Sequence, residues 1–216
     1  MDKVTSNKEK QFAYRIEYGR LNKAIKGGFY LEALVIGYAL IEDRCVSFLH
    51  YAGIVTRDHE SLAINKKVLP YVRTILGKNE KDRIVVRNIS TKIDIIRALL
   101  ELNEKQAEYI DDNIEQYAVS NNKKRVARKG YMLDVCSQID ETVDRKYVLE
   151  LLDTIKPWLD KRNKLIHALL NQTVSSSDIA QRECAESVYG ITRLLDDKLV
   201  KTFKKGNGIR RKYRIQ

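Results

Sequence analysis

The chain has 216 residues, with 40 Lys plus Arg against 29 Asp plus Glu and a formal net charge of +11. It holds only 10 Gly and 2 Pro, about half the ~12 % that the two usually make up together. Tight turns lean on those residues, so all-β sandwiches and barrels are disfavoured and a helix-rich globule with one ordinary-sized core is expected. The opening Met1-Asp2-Lys3-Val4 is followed by no apolar run of the signal-peptide kind. The longest apolar-plus-Gly stretch, residues 33–41, is far short of the ~20 residues a bilayer requires. A cytoplasmic protein with no membrane partner is expected. Cys45, Cys136 and Cys184 are far apart and show no CxxC spacing. They read as three buried thiols in a reducing compartment, not as a disulfide framework or a zinc site. No cofactor and no metal is implied.

The predicted elements run in order as helices. The first covers about 8–26 and stops at Gly27-Gly28. The second, about 29–52, is apolar over most of its circumference and reads as buried. Residues 53–61 read as a loop. Helices follow at about 62–76, 89–102, 104–119, 131–141 and 145–155. Pro157 then starts or kinks a segment of about 157–171. Residues 174–177 read as a connector, and Asp178 with Gln181 as the start of a last helix reaching about Phe203. The fold class is all-α, a bundle of roughly seven to nine helices. One helical domain is expected over 1–203, with a loose basic tail over 204–216.

The 157–171 helix carries an anomaly. With Trp158 at zero on a wheel of ~100° per residue, Leu159, Leu165, Ile166, Leu169 and Leu170 fill one arc, and Arg162 falls at about 40°, inside it. Asn163 at about 140° and His167 at about 180° stand together at the edge. A guanidinium on an apolar face is costly unless paired. Glu42, embedded among Leu31, Val35, Tyr38, Val46 and Leu49 on the second helix, is the candidate bidentate partner, the alternative being that one or both charges snorkel to water from the edge of the bundle.

Arg162-Asn163-Lys164-Leu165-Ile166-His167 resembles the R-x4–6-H motif of the HEPN superfamily. A second match to the spacing, Arg44 to His50, has Cys45 where the polar Asn should follow. The resemblance covers the motif helix closely and the helical architecture loosely. It implies a HEPN-like four-helix core with additional helices, and a metal-independent endoribonuclease. His167 would act as general acid or base, Arg162 would hold the phosphate, and Asn163 would orient the site, with Glu42 and Lys164 in support. Imidazole titrates near neutrality, guanidinium matches phosphate geometry, and RNA brings its own nucleophile. One chain offers one motif histidine. Acid–base cleavage by two would require a homodimer with the motif helices at its interface. Toxin-like defence proteins are the stand-alone comparison, and such a role implies a protein regulator. The branch silenced by a nucleotidyltransferase has a Tyr two residues after the motif His. Here that position is Leu169, so that mode of control is not expected.

Two other classes stay open: a catalytically inactive HEPN-like module that binds nucleic acid, and a helical interaction or regulatory protein with a basic tail. His167 can equally be a satisfied interface histidine. His50 reads as structural and His59 as solvated. Tyr14, Tyr18, Tyr30 and Tyr38 recur at helical spacing and read as packing residues before base-stacking ones.

The charge excess is concentrated. Lys123, Lys124, Arg125, Arg128 and Lys129 form one segment without acids. Lys201, Lys204, Lys205, Arg210, Arg211, Lys212 and Arg214 form another at the end. With these twelve set aside, 28 of the 40 basic residues remain against 29 acidic ones, so the rest is nearly neutral. RNA is the expected partner of both segments, through phosphate contacts.

Overall fold

Helical periodicity is realised along most of the chain. The computed structural model describes residues 7–58, 61–120, 129–168, 174–204 and 208–213. Helix α1 (Asn7–Lys26) ends where Gly28 takes a φ of 74°, a left-handed turn that favours glycine. The amide of Phe29 then returns to the carbonyl of Ala24 at 2.9 Å. Helix α2 (Tyr30–Tyr51) ends at Gly53 in the same way, with the Ile54 amide on the Leu49 carbonyl at 2.8 Å. After it come α3 (Leu69–Ile75), α4 (Ile89–Glu101), α5 (Glu104–Ser120), α6 (Tyr131–Thr142), α7 (Arg145–Ala168) and α8 (Val174–Leu195). A π-turn (Asp196–Val200) and two single-turn helices, α9 (Lys201–Lys204) and α10 (Ile209–Lys212), follow. The protein is an all-α helical bundle, with eight helices of seven residues or more among the described residues.

Four expectations need correction. The region read as a loop and the start of a helix contains an antiparallel ribbon, β1 (Val55–Asp58) with β2 (Ser61–Ile64), Val55 opposite Ile64. Four-residue strands without an Asn-Gly or Asp-Gly turn give too little pattern to read. Helix α7 runs unbroken through Pro157. Proline is compatible with helical φ and leaves one carbonyl, four residues back at Asp153, without its usual donor. Helix α8 begins at Val174 rather than Asp178, since the first turn of a helix tolerates serines well. Residues 208–213 are not a loose tail: Ile209 and Tyr213 are buried.

The chain groups into two compact units: residues 1–43 with 153–194, and residues 44–152 with 195–216. The first contains α1, α2 up to Asp43, α7 from Asp153 onward, and α8 up to Leu194. Leu21, Leu34, Ile41, Trp158, Leu159, Ala185 and Val188 are buried there. Gly37 permits a close approach, because a Cβ on it would stand 2.5 Å from Cγ2 of Val188.

The second unit is fixed by buried polar contacts to backbone. Asp111, 3 % exposed, accepts from the amides of Met132 and Leu133 at 3.1 and 2.9 Å. It does the work of an N-cap for α6, which is preceded by Gly130, a residue with no side chain to offer. Burial pushes the Asp111 carboxyl up, against the pull of those two amides. Arg145 donates to the carbonyls of Leu100 and Leu102 at 2.5 and 2.7 Å at the end of α4, where helix carbonyls have no helical donor. Tyr131 packs edge-on between Tyr71 and Tyr213 and donates to the Ala52 carbonyl at 2.8 Å.

Arg44 is 6 % exposed and pairs with Asp196 at 2.5 Å, and Lys201 adds a contact to the same carboxylate at 2.9 Å. Burial pushes the Asp196 carboxyl up, but Lys201 and Arg44 outweigh it and hold it below the ordinary value. A depressed folded pKa gives stability that is present above the ordinary carboxylate pKa and lost as pH falls through the folded one. Asp196→Asn should therefore cost about 3 kcal/mol at pH 7, read by urea unfolding. The gap to wild type should shrink below about pH 4; a gap unchanged at pH 3 would contradict this account.

Candidate functional site

The motif residues lie on the second half of α7, in the first unit. Trp158 and Leu159 are buried, and the Trp158 indole donates to the Cys184 carbonyl on α8 at 2.8 Å. Lys161 reaches Glu183 at 3.0 Å on the outer side of the same helix pair. These contacts fix the rotation of α7. One turn on from Trp158, Arg162 is half-buried, while Asn163, Lys164 and His167 are exposed. The wheel thus placed the arginine on the inner side and the histidine at the edge correctly.

The partner of Arg162 differs from the one expected. Its guanidinium carbon lies 4.5 Å from the centroid of the Tyr38 ring on α2, and Nη1 donates to Asn163 Oδ1 at 3.0 Å. Nε is enclosed without a hydrogen-bond partner. No ion pair between Arg162 and Glu42 forms among the described residues; an aromatic face and a neighbouring amide take the place of the carboxylate. Glu42 is half-buried nearby. Burial and Glu42 push the Tyr38 hydroxyl up, and Arg162 pulls it down. The arrangement is a half-buried cation, enclosed at Nε and with no described carboxylate on it, a chemistry suited to an anion. Sequence reading missed the role of Tyr38, although the signal was present: it shares a face of α2 with Glu42.

The second spacing match fails on geometry. Arg44 is committed to Asp196, and His50 lies against Arg210 Nη1. Within the motif itself no hydrogen bond joins Arg162 to His167 among the described residues. Burial pushes the Cys184 thiol up, while Lys161 and Arg162 pull it down. Cys45, Cys136 and Cys184 are all buried and none is in a disulfide, as expected.

The cationic segments look different in space. Lys123, Lys124, Arg125, Arg128, Lys205 and Arg214 lie outside the described residues. Lys129 bridges Asp112 and Glu115 at 3.1 and 3.4 Å. Lys201 is held by Asp196 and Asp197, and Lys212 by Asp134 at 2.5 Å. Burial lowers the pKa of Arg210. Lys204 lies over the Tyr51 ring at 5.4 Å, and Arg211 is exposed. Segments without acids in sequence thus acquire acids from elsewhere in the fold.

A hollow of about 280 Å³ lies between α1 and α2, lined by Tyr14, Ile36 and Leu40 with Glu17 and Asp43. It does not include the motif residues. Comparison with protein-family models, with curated proteins and with solved structures finds no match to this chain. No helix among the described residues is long and apolar enough to cross a membrane.

An exposed His167 makes a clean probe. His167→Ala should change unfolding free energy by less than about 0.5 kcal/mol, measured by urea denaturation of the isolated protein. A loss above about 2 kcal/mol would mean that the histidine is a satisfied structural group.

Proposed function

We propose that the protein is a HEPN-type endoribonuclease that acts without a metal ion, as a homodimer with α7 at the interface. The observation that carries this reading is Arg162, a half-buried guanidinium without a described carboxylate partner, on the same helix as an exposed histidine five residues later. The motif resemblance supports it. So does the apolar surface around the site: Leu31 and Val35 on α2 are 40 % and 51 % exposed, and Leu165 and Ile166 on α7 are half-buried. An apolar strip of this kind around a charged centre suits a second copy.

In this mechanism Arg162 holds the non-bridging oxygens of a phosphodiester, and Asn163 fixes the guanidinium. His167 takes the proton from the 2′-hydroxyl as its oxygen attacks phosphorus. The partner subunit's His167 gives a proton to the departing 5′-oxygen. The products are a 2′,3′-cyclic phosphate and a 5′-hydroxyl, and the two imidazoles end with each other's protonation state. Cations of the two basic segments that keep a free face supply salt-dependent affinity for the rest of the RNA.

The test is cleavage of mixed RNA in EDTA by wild type, Arg162→Ala and His167→Ala. Wild type should cleave, and each variant should lose at least about 100-fold in rate. RNA binding that survives in all three, with no cleavage by any, would replace the nuclease with an inactive nucleic-acid-binding module. In sedimentation the wild type should be a dimer and Val35→Lys a monomer without activity. A monomeric wild type that cleaves would remove the composite site.

A further inference from the structure

An arginine that binds a substrate phosphate must be aimed as well as charged. A lone guanidinium on a long side chain samples many rotamers, and ordering it on substrate binding costs affinity. Arg162 is pre-ordered on two sides. The guanidinium carbon stands over the Tyr38 ring, 4.5 Å from the ring centroid. Asn163 Oδ1 occupies Nη1 at 3.0 Å. Nε is sealed from solvent and has no partner. Among the described residues Nη2 donates no hydrogen bond. What remains available is one end of the fork, opposite the held edge.

We infer that Tyr38 is a positioning residue: its ring face holds the Arg162 guanidinium in the plane and direction needed to receive a phosphodiester oxygen. This rests on the reading of Arg162 as the phosphate-binding group. The work is done by the ring and not by the hydroxyl, because the guanidinium lies over the aromatic face. Phenylalanine should therefore replace tyrosine, and an aliphatic residue of similar size should not. The position of Tyr38 on α2, which is fixed at Gly37 by contact with Val188, explains how a flexible side chain on another helix is held in place.

Three measurements test this together on full-length wild type, Tyr38→Phe and Tyr38→Leu. The first is the side-chain Nε–Hε resonance of Arg162, identified by its loss in Arg162→Lys. It should be shifted upfield by ring current in wild type and Tyr38→Phe, and should return to the ordinary arginine position in Tyr38→Leu. The second is binding of a 2′-O-methyl RNA oligonucleotide, which cannot be cleaved. Tyr38→Leu should bind about tenfold more weakly, and Tyr38→Phe within about twofold of wild type. The third is cleavage of natural RNA, where Tyr38→Leu should lose kcat as well as affinity. The inference is overturned if Tyr38→Leu leaves the resonance or the analogue binding unchanged, or if Tyr38→Phe loses as much as Tyr38→Leu. A wild type that cleaves nothing, while the resonance and binding follow the predicted order, removes the nuclease reading and leaves the positioning role standing.

Discussion

A guanidinium on the inner side of a helix sets the terms for the first unit. Arg162 stands among Trp158, Leu159, Leu165 and Ile166 on α7, where a bare cation costs free energy. The fold meets that cost with an aromatic face from α2 and an amide one residue along the same helix. Neither neutralises the charge. A carboxylate would have done so and would have made the residue a purely structural ion pair, as Asp196 does for Arg44. The contrast between the two arginines separates a charge neutralised by a carboxylate from one that meets only a ring and an amide among the described residues.

Much of the architecture was legible in the sequence because it depends on local signals. Periodicity and paired glycines located α1 and α2 to within a residue or two. The wheel puts Arg162 within the apolar arc and His167 at its edge, and in the structure Arg162 is half-buried and His167 exposed. The misses came where a local rule meets a non-local one. Pro157 is a start or kink signal by local rules, and it starts no new helix here: α7 continues through it. The ribbon at 55–64 comes from pairing between two segments too short to show a period. Asp111 caps a helix that starts 20 positions later in the chain, and no spacing rule reaches that far.

The candidate site was half legible for the same reason. A motif on one helix can be read from one helix, so Arg162, Asn163 and His167 stand out together in the sequence. The partner of Arg162 depends on which residue of α2 faces α7, and Glu42 and Tyr38 are four apart on one side of α2. Electrostatics alone favoured the carboxylate, and packing chose the ring. The net charge changed meaning in a similar way. Lys129, Lys201 and Lys212 sit in acid-free stretches of sequence but are bridged by Asp112, Asp196, Asp197 and Asp134. The formal +11 therefore overstates the cations whose full field is open to a polyanion.

The central claim is that Arg162 and His167 carry out transfer of a phosphodiester to the 2′-oxygen of RNA. The chemical nature of the cut ends tests it most directly. The account predicts a 2′,3′-cyclic phosphate on one fragment and a 5′-hydroxyl on the other, formed in EDTA and absent when either Arg162 or His167 is replaced by alanine. Fragments that end in a 3′-hydroxyl and a 5′-phosphate, or cyclic-phosphate products that persist in His167→Ala, would contradict it.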